Sequence, residues 1–165
     1  MNTKMETEIQ SEGRVPAMPN PESCLMLDGI EAALKKAGVG CERMAGSEGS
    51  LMIGAPDEDS VVELYPDGRF ACQFGVDMEE LRGLLTGDQT EDMADDELVR
   101  VARYHLKPTV DRHRAALIKE GLEESVDATK DYYAIVFGAS FDLSDPQSVL
   151  QKITRILAVL KKAPQ

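Results

Sequence analysis

Two histidines, three cysteines and two charged runs of opposite sign are the residues of this chain whose types could do chemistry. His105 and His113 stand eight positions apart. On one helix that spacing leaves them about 80° out of phase, with Pro108 between them. No H-E-x-x-H or comparable ligand spacing accompanies them, so ordinary surface or core histidines are the simpler account. Cys72 lies in a strand-like pattern. A nucleophilic cysteine needs a histidine or cationic setting to lower its pKa, and a small buried side chain explains Cys72 without one. Cys24, Cys41 and Cys72 are an odd set with no C-x-x-C spacing, which argues against a zinc site or disulfide framework and for a reducing compartment. No G-x-S-x-G occurs, and residues 45–50 resemble a phosphate loop only in glycine content. The sequence therefore assigns no catalytic residue, no cofactor and no metal.

The charged runs are more specific. Asp88, Glu91, Asp92, Asp95, Asp96 and Glu97 form an acidic segment without the alternating oxygen ligands and central glycine of a calcium loop. Behind it the sign reverses at Arg100, Arg103, Lys107, Arg112, Arg114 and Lys119, against Asp111 alone. Together with Tyr104 and the two histidines these cations could meet a polyanion, but they also balance the adjacent carboxylates. The candidate partner-binding set is thus Asp88, Glu91, Asp92, Asp95, Asp96, Glu97, Arg100 and Arg103, and its simpler alternative is a solvated charged linker.

The elements that would position these residues are readable around them. Asn20-Pro21 opens a first helix, with Met26, Ile30, Ala33, Leu34 and Ala37 on one face and Gly38 as its left-handed stop. Leu51 to Ile53 is a short strand. Val61 to Phe74 is a hairpin, because Pro66 presets φ, Asp67 suits the second turn position and Gly68 supplies positive φ. Val76 to Leu85 is a short helix capped by Asp77, with Met78, Leu81, Leu84 and Leu85 inward. A long helix from about Leu98 is broken or kinked at Pro108. Tyr132 to Ala139 is apolar on both alternating faces and predicts a central strand covered on both sides, one that Gly138 could split in two. Asp145-Pro146 then starts a terminal helix bearing Val149, Leu150, Ile153, Ile156, Leu157 and Leu160 on one face. The expected fold is α+β: a mainly antiparallel sheet of about four strands, a three-strand meander plus the late central strand, packed with helices. Residues 1–19 read as a disordered tail and 20–163 as one domain containing an acidic linker at 86–96.

The 165 residues suffice for an independent core, but aromatics are only 5% and tryptophan is absent, so aliphatics and eight methionines must fill it. The net charge of −12 disfavours direct binding to nucleic acid or anionic membranes. It suits a soluble protein, a binder of basic partners or a nucleic-acid mimic. No apolar window is long enough to span a bilayer and no secretory h-region is present, so a cytoplasmic protein is expected.

In size, charge and coarse element order the chain is similar to the secretion chaperones of bacterial type III systems and to related small chaperone-like domains. That resemblance implies an acidic, cytoplasmic, often dimeric α+β protein, and carries no residue over. Three functions follow. The leading one is a non-enzymatic protein-binding module, chaperone-, adaptor- or inhibitor-like, acting through a sheet edge, a helix face or its acidic surface on another protein, for which a basic surface would be complementary. The second is an acidic inhibitor that mimics nucleic acid, which requires the carboxylates of 57–59, 77–80 and 88–97 on one face. The third is a small-ligand binder or enzyme with a site near Cys72, His105 or His113. A half-covered sheet would also expose a face or an edge on which a homodimer could form.

Overall fold

A computed structural model describes residues 21–44, 49–54, 60–85 and 95–162. Helix α1 spans Pro21–Lys36, strands β1 to β4 span Cys41–Arg43, Leu51–Ile53, Ser60–Leu64 and Arg69–Asp77, and helices α2 and α3 span Met78–Leu84 and Asp95–Lys119. Strands β5 (Glu123–Ala128) and β6 (Tyr132–Ser140) and helix α4 (Pro146–Lys162) complete the chain. The strands form one antiparallel sheet in the order β1-β2-β3-β4-β6-β5.

Local signals set the element ends. At the close of α1, the Gly38 N–H bonds to the Lys35 carbonyl and the Val39 N–H to Leu34, with Gly38 at φ +85°, a Schellman stop. Gly121 (φ +95°) and Leu122 repeat it at the end of α3 on the carbonyls of Ile118 and Leu117. Asp77 caps α2 by accepting from the Glu79 and Glu80 N–H groups, and Asp145 caps α4 by accepting from Ser148. Gly68 turns the β3–β4 hairpin at φ +95°, its N–H donating to the Tyr65 carbonyl.

The core lies between one face of the sheet and the helices. Val62, Leu64, Phe70, Cys72, Phe74, Tyr133, Ile135 and Phe137 share that face and are buried. All four helices contribute to the same apolar cluster, from Leu27, Ile30 and Leu34 of α1 to Val149, Ile153, Ile156 and Leu160 of α4. Phe74 sits at its centre, edge-on to Phe137 and stacked on His113.

The α+β class with an antiparallel sheet and a C-terminal amphipathic helix stands, with corrections. The sheet has six strands rather than about four. The strands missing from the sequence reading are β1 and β5, whose segments Cys-Glu-Arg and Glu-Glu-Ser-Val-Asp-Ala carry no apolar alternation because both lie at edges. Strand β6 is internal but has helices on one face only. It is also continuous through Gly138, which sits opposite Ala71. Helix α3 is not broken at Pro108: proline and Tyr104 four residues earlier are both exposed, so the carbonyl left without a donor faces water. Val76 belongs to β4, Leu84 is 67% exposed rather than inward, and Asp95 and Asp96 already lie within α3. The tail at 1–19 and residues 86–94 of the linker lie outside the described residues. Among the described residues no helix is long and apolar enough to cross a membrane.

Candidate functional site

Two surfaces remain open, and β5 borders both. The first is the face of the sheet that none of the described helices covers. Because side chains alternate along a strand, every residue between the buried ones points there. The register lines up Glu42, Met52, Glu63, Ala71, Gly138 and Glu123 across the strands. Val61, Gln73, Val136 and Ser125 form the next row, and Gly75, Ala134 and Asp127 the one after. On the two central strands, β4 and β6, this face carries Ala71, Gly75, Ala134 and Gly138 with Val136 and Gln73. Ala71, Gln73, Val136 and Gly138 form part of a trough of about 780 Å³ that continues past the sheet end to Glu120, Gly121, Phe141 and Lys152.

Its borders are polar. Glu123 and Asp127 of β5 line one side. On β3, across the two central strands, the Glu63 carboxylate accepts from the Ser50 hydroxyl at 2.5 Å and the Tyr65 hydroxyl at 2.9 Å. At one end Arg69 lies over the Tyr65 ring, 4.3 Å from its centre, and bonds to Asp67. At the other, the Tyr132 phenol crosses Gly75 so closely that a Cβ there would meet its hydroxyl at 1.9 Å. Burial, then the nearby Asp127 and Asp77 carboxylates, raise the Tyr132 pKa and keep the phenol neutral.

The second surface is the outer edge of β5 with the adjoining flank of α3. Among the described strands β5 pairs with β6 alone, and all six of its residues are exposed. Arg100, Arg103, Tyr104, Lys107, Asp111 and Arg114 recur at helical spacing along that side of α3. Arg114 holds Glu124 of β5 at 2.8 and 3.2 Å, and both Arg114 and Lys107 bond to Asp111. Hydrogen bonds from Lys107 and then Arg114 hold the Asp111 carboxyl below its ordinary pKa. Arg103 Nε donates to the Tyr133 hydroxyl at 3.2 Å. Between helix and strand runs an apolar groove of about 320 Å³ over Leu106, Val110, Val126 and Ile135, and Val126 is 56% exposed.

Of the residues singled out from sequence, Asp88, Glu91 and Asp92 lie outside the described residues, as do 57–59. Asp95 opens α3, and Asp96, Glu97 and Arg100 are exposed along its first turns. Arg103 reaches the groove. The basic run is sorted by the helix: Arg100, Arg103, Lys107 and Arg114 share the flank beside β5, while Arg112 and His105 fall on another side and His113 turns inward. Cys72 and His113 are both buried in the core, where neither meets solvent, and neither lines the trough or the groove. Among the described residues no cluster of three or more His, Cys, Asp or Glu side chains could hold a metal ion.

Sequence reasoning missed the trough and the edge. The glycines of β4 and β6 were the available signal, since glycine inside a strand marks close approach. For β5 the sequence offered only a lone valine among carboxylates.

No protein-family model matches the chain, and no curated protein matches it. A solved structure of an uncharacterized protein from Methanothermobacter thermautotrophicus aligns over 82% of this chain and 94% of that one, at 11% identity and a TM-score of 0.34. That likeness is too slight to carry a fold or a function.

Proposed function

We propose that this chain is a non-enzymatic protein-binding module that takes a basic amphipathic segment of another protein on the uncovered face of its sheet. The observation that carries the reading is the uncovered sheet face, where the small residues Ala71 and Gly138 lie in register between Glu63 on one side and Glu123 on the other. Strands β3 and β5 are three strand spacings apart, about 14 Å. An α-helix with its side chains is about 10–12 Å across, so one helix fits lengthwise between the carboxylate rows. Ala71, Val136 and Gly138 would admit its apolar stripe, and Glu63, Glu123 and Asp127 would face lysines or arginines on its flanks. The overall charge of −12 would speed the encounter and make it weaken with added salt.

The test is affinity capture from native lysate, nuclease-treated and untreated, with the native chain and an Ala71→Trp variant that fills the floor. A stoichiometric protein that survives nuclease and is lost with Ala71→Trp supports the reading. Capture that the variant leaves unchanged refutes the trough, and capture abolished by nuclease refutes a protein partner.

A further inference from the structure

The β5 edge poses a separate question. A sheet edge leaves a row of backbone N–H and C=O groups open to pairing, and soluble proteins shorten, cover or charge such edges. The opposite edge is short: β1 has three residues, and its Arg43 is tied to Asp28 of α1. Strand β5 is twice as long, and its exposed valine lies beside the apolar groove. Its carboxylates Glu123, Glu124 and Asp127 would ordinarily repel a second acidic strand. Whether they do depends on register.

We propose that β5 pairs antiparallel with β5 of a second copy of this chain, with Val126 on the two-fold axis, so that the two sheets become one. A two-fold axis perpendicular to the sheet keeps the helices of both copies on the same side. It allows only registers in which facing residue numbers add to an even sum, because side chains alternate between faces. Four such registers pair at least half of the strand. With residue 124 on the axis, Glu124 faces the partner's Glu124. Placing residue 125 there sets Glu123 against the partner's Asp127. Residue 127 on the axis sets Asp127 against the partner's Asp127. Only with Val126 on the axis does no carboxylate oppose another: Glu124 then faces the partner's Ala128, Ser125 the partner's Asp127, and Glu123 the partner's Thr129. That register also brings the two exposed valines together, where facing apolar pairs stabilise a sheet and like charges destabilise it.

Charge around the edge fits the same arrangement. Glu124 is already held by Arg114 within its own copy, so its charge is partly met before the strands approach. The groove between α3 and β5 loses its open side, and its apolar wall gains the partner's Val126. Pairing consumes the edge and leaves the opposite face of the sheet free, so this inference stands apart from the proposed partner site. The two also respond oppositely to salt. Screening weakens attraction of a basic segment to the trough, but it relieves repulsion between two copies of charge −12.

Sedimentation of the full-length chain over a concentration series tests the proposal. The expected result is a reversible dimer that tightens as salt is added. Val126→Lys sets two cations against each other on the axis and is expected to weaken dimerisation by about tenfold or more, with helix content and melting temperature unchanged. If that variant fails to fold, register decides. Facing residues bring their Cβ atoms to about 4.5–5.5 Å, so Val126→Cys forms a disulfide-linked dimer under mild oxidation, whereas the parent chain and Asp127→Cys do not. A monomer at every concentration and salt overturns the proposal, as does cross-linking of Asp127→Cys in place of Val126→Cys, or a folded Val126→Lys chain that dimerises as before.

Discussion

Gly68 and Gly38 have nearly the same backbone conformation and different surroundings, so replacing each by alanine separates local strain from tertiary contact. Gly68 has φ +95° and Gly38 φ +85°, a region that costs an L-residue about 1–2 kcal/mol. Around Gly38 a Cβ would meet nothing within 4 Å, whereas at Gly68 it would lie 2.3 Å from the Phe141 carbonyl oxygen. Relieving that clash needs a shift of about 1 Å between backbones in ordinary contact. The same backbone pair shares the hydrogen bond from the Phe141 N–H to the Gly68 carbonyl at 2.8 Å. Such a bond is worth about 1 kcal/mol net. Phe141 also stacks on Phe70, with ring centres 4.9 Å apart, and loosening that pair costs about 0.5–1.5 kcal/mol. Gly38→Ala is therefore expected to cost about 1–2 kcal/mol and Gly68→Ala about 3–4 kcal/mol. Urea unfolding followed by circular dichroism measures both. If Gly68→Ala proves no worse than Gly38→Ala, the β3–β4 turn is not docked on the end of β6, and the trough end built from Tyr65 and Arg69 is misplaced.

The remaining predictions concern the core and the α3 flank. Phe137 is fully buried against Phe74, and Phe137→Ala is expected to cost about 3–5 kcal/mol, far more than any single change on the exposed β5 edge. The same urea titration shows the difference. Asp111 has a folded pKa held below its unfolded value, which is about 3.9. Its contribution is thus present above the unfolded pKa and lost as pH falls through the lower folded value. Unfolding of Asp111→Asn across acid pH should show a deficit against the native chain at neutral pH that closes in acid, and a deficit independent of pH would contradict the Lys107–Asp111–Arg114 contacts.

The sequence by itself determined the features that depend on residues within about a turn of one another. Pro66-Asp67-Gly68 specified the hairpin, Gly38 with Val39 the stop of α1, Asp77 the cap of α2, and the spacing of Val149, Ile153, Ile156 and Leu160 the inner face of α4. Each of these is a local choice of φ or of side-chain period, and each was realised. Of the partner-binding set read from sequence, Arg103 lines the groove beside β5, and Arg100 stands one turn before it on α3. What only the tertiary structure decided is which faces are covered. The apolar run of β6 looks alike whether helices pack on one side or two, because Ala134, Val136 and Gly138 satisfy an open face as well as a tight contact. His113 rather than His105 turned inward through its contact with Phe74, some forty residues away in sequence. Strand β5 carries little apolar alternation, since all six of its residues are exposed and an edge strand with no buried face has none to encode. The trough and the edge arise where no described element packs, and a pattern that records only burial has nothing to say about the surfaces left uncovered.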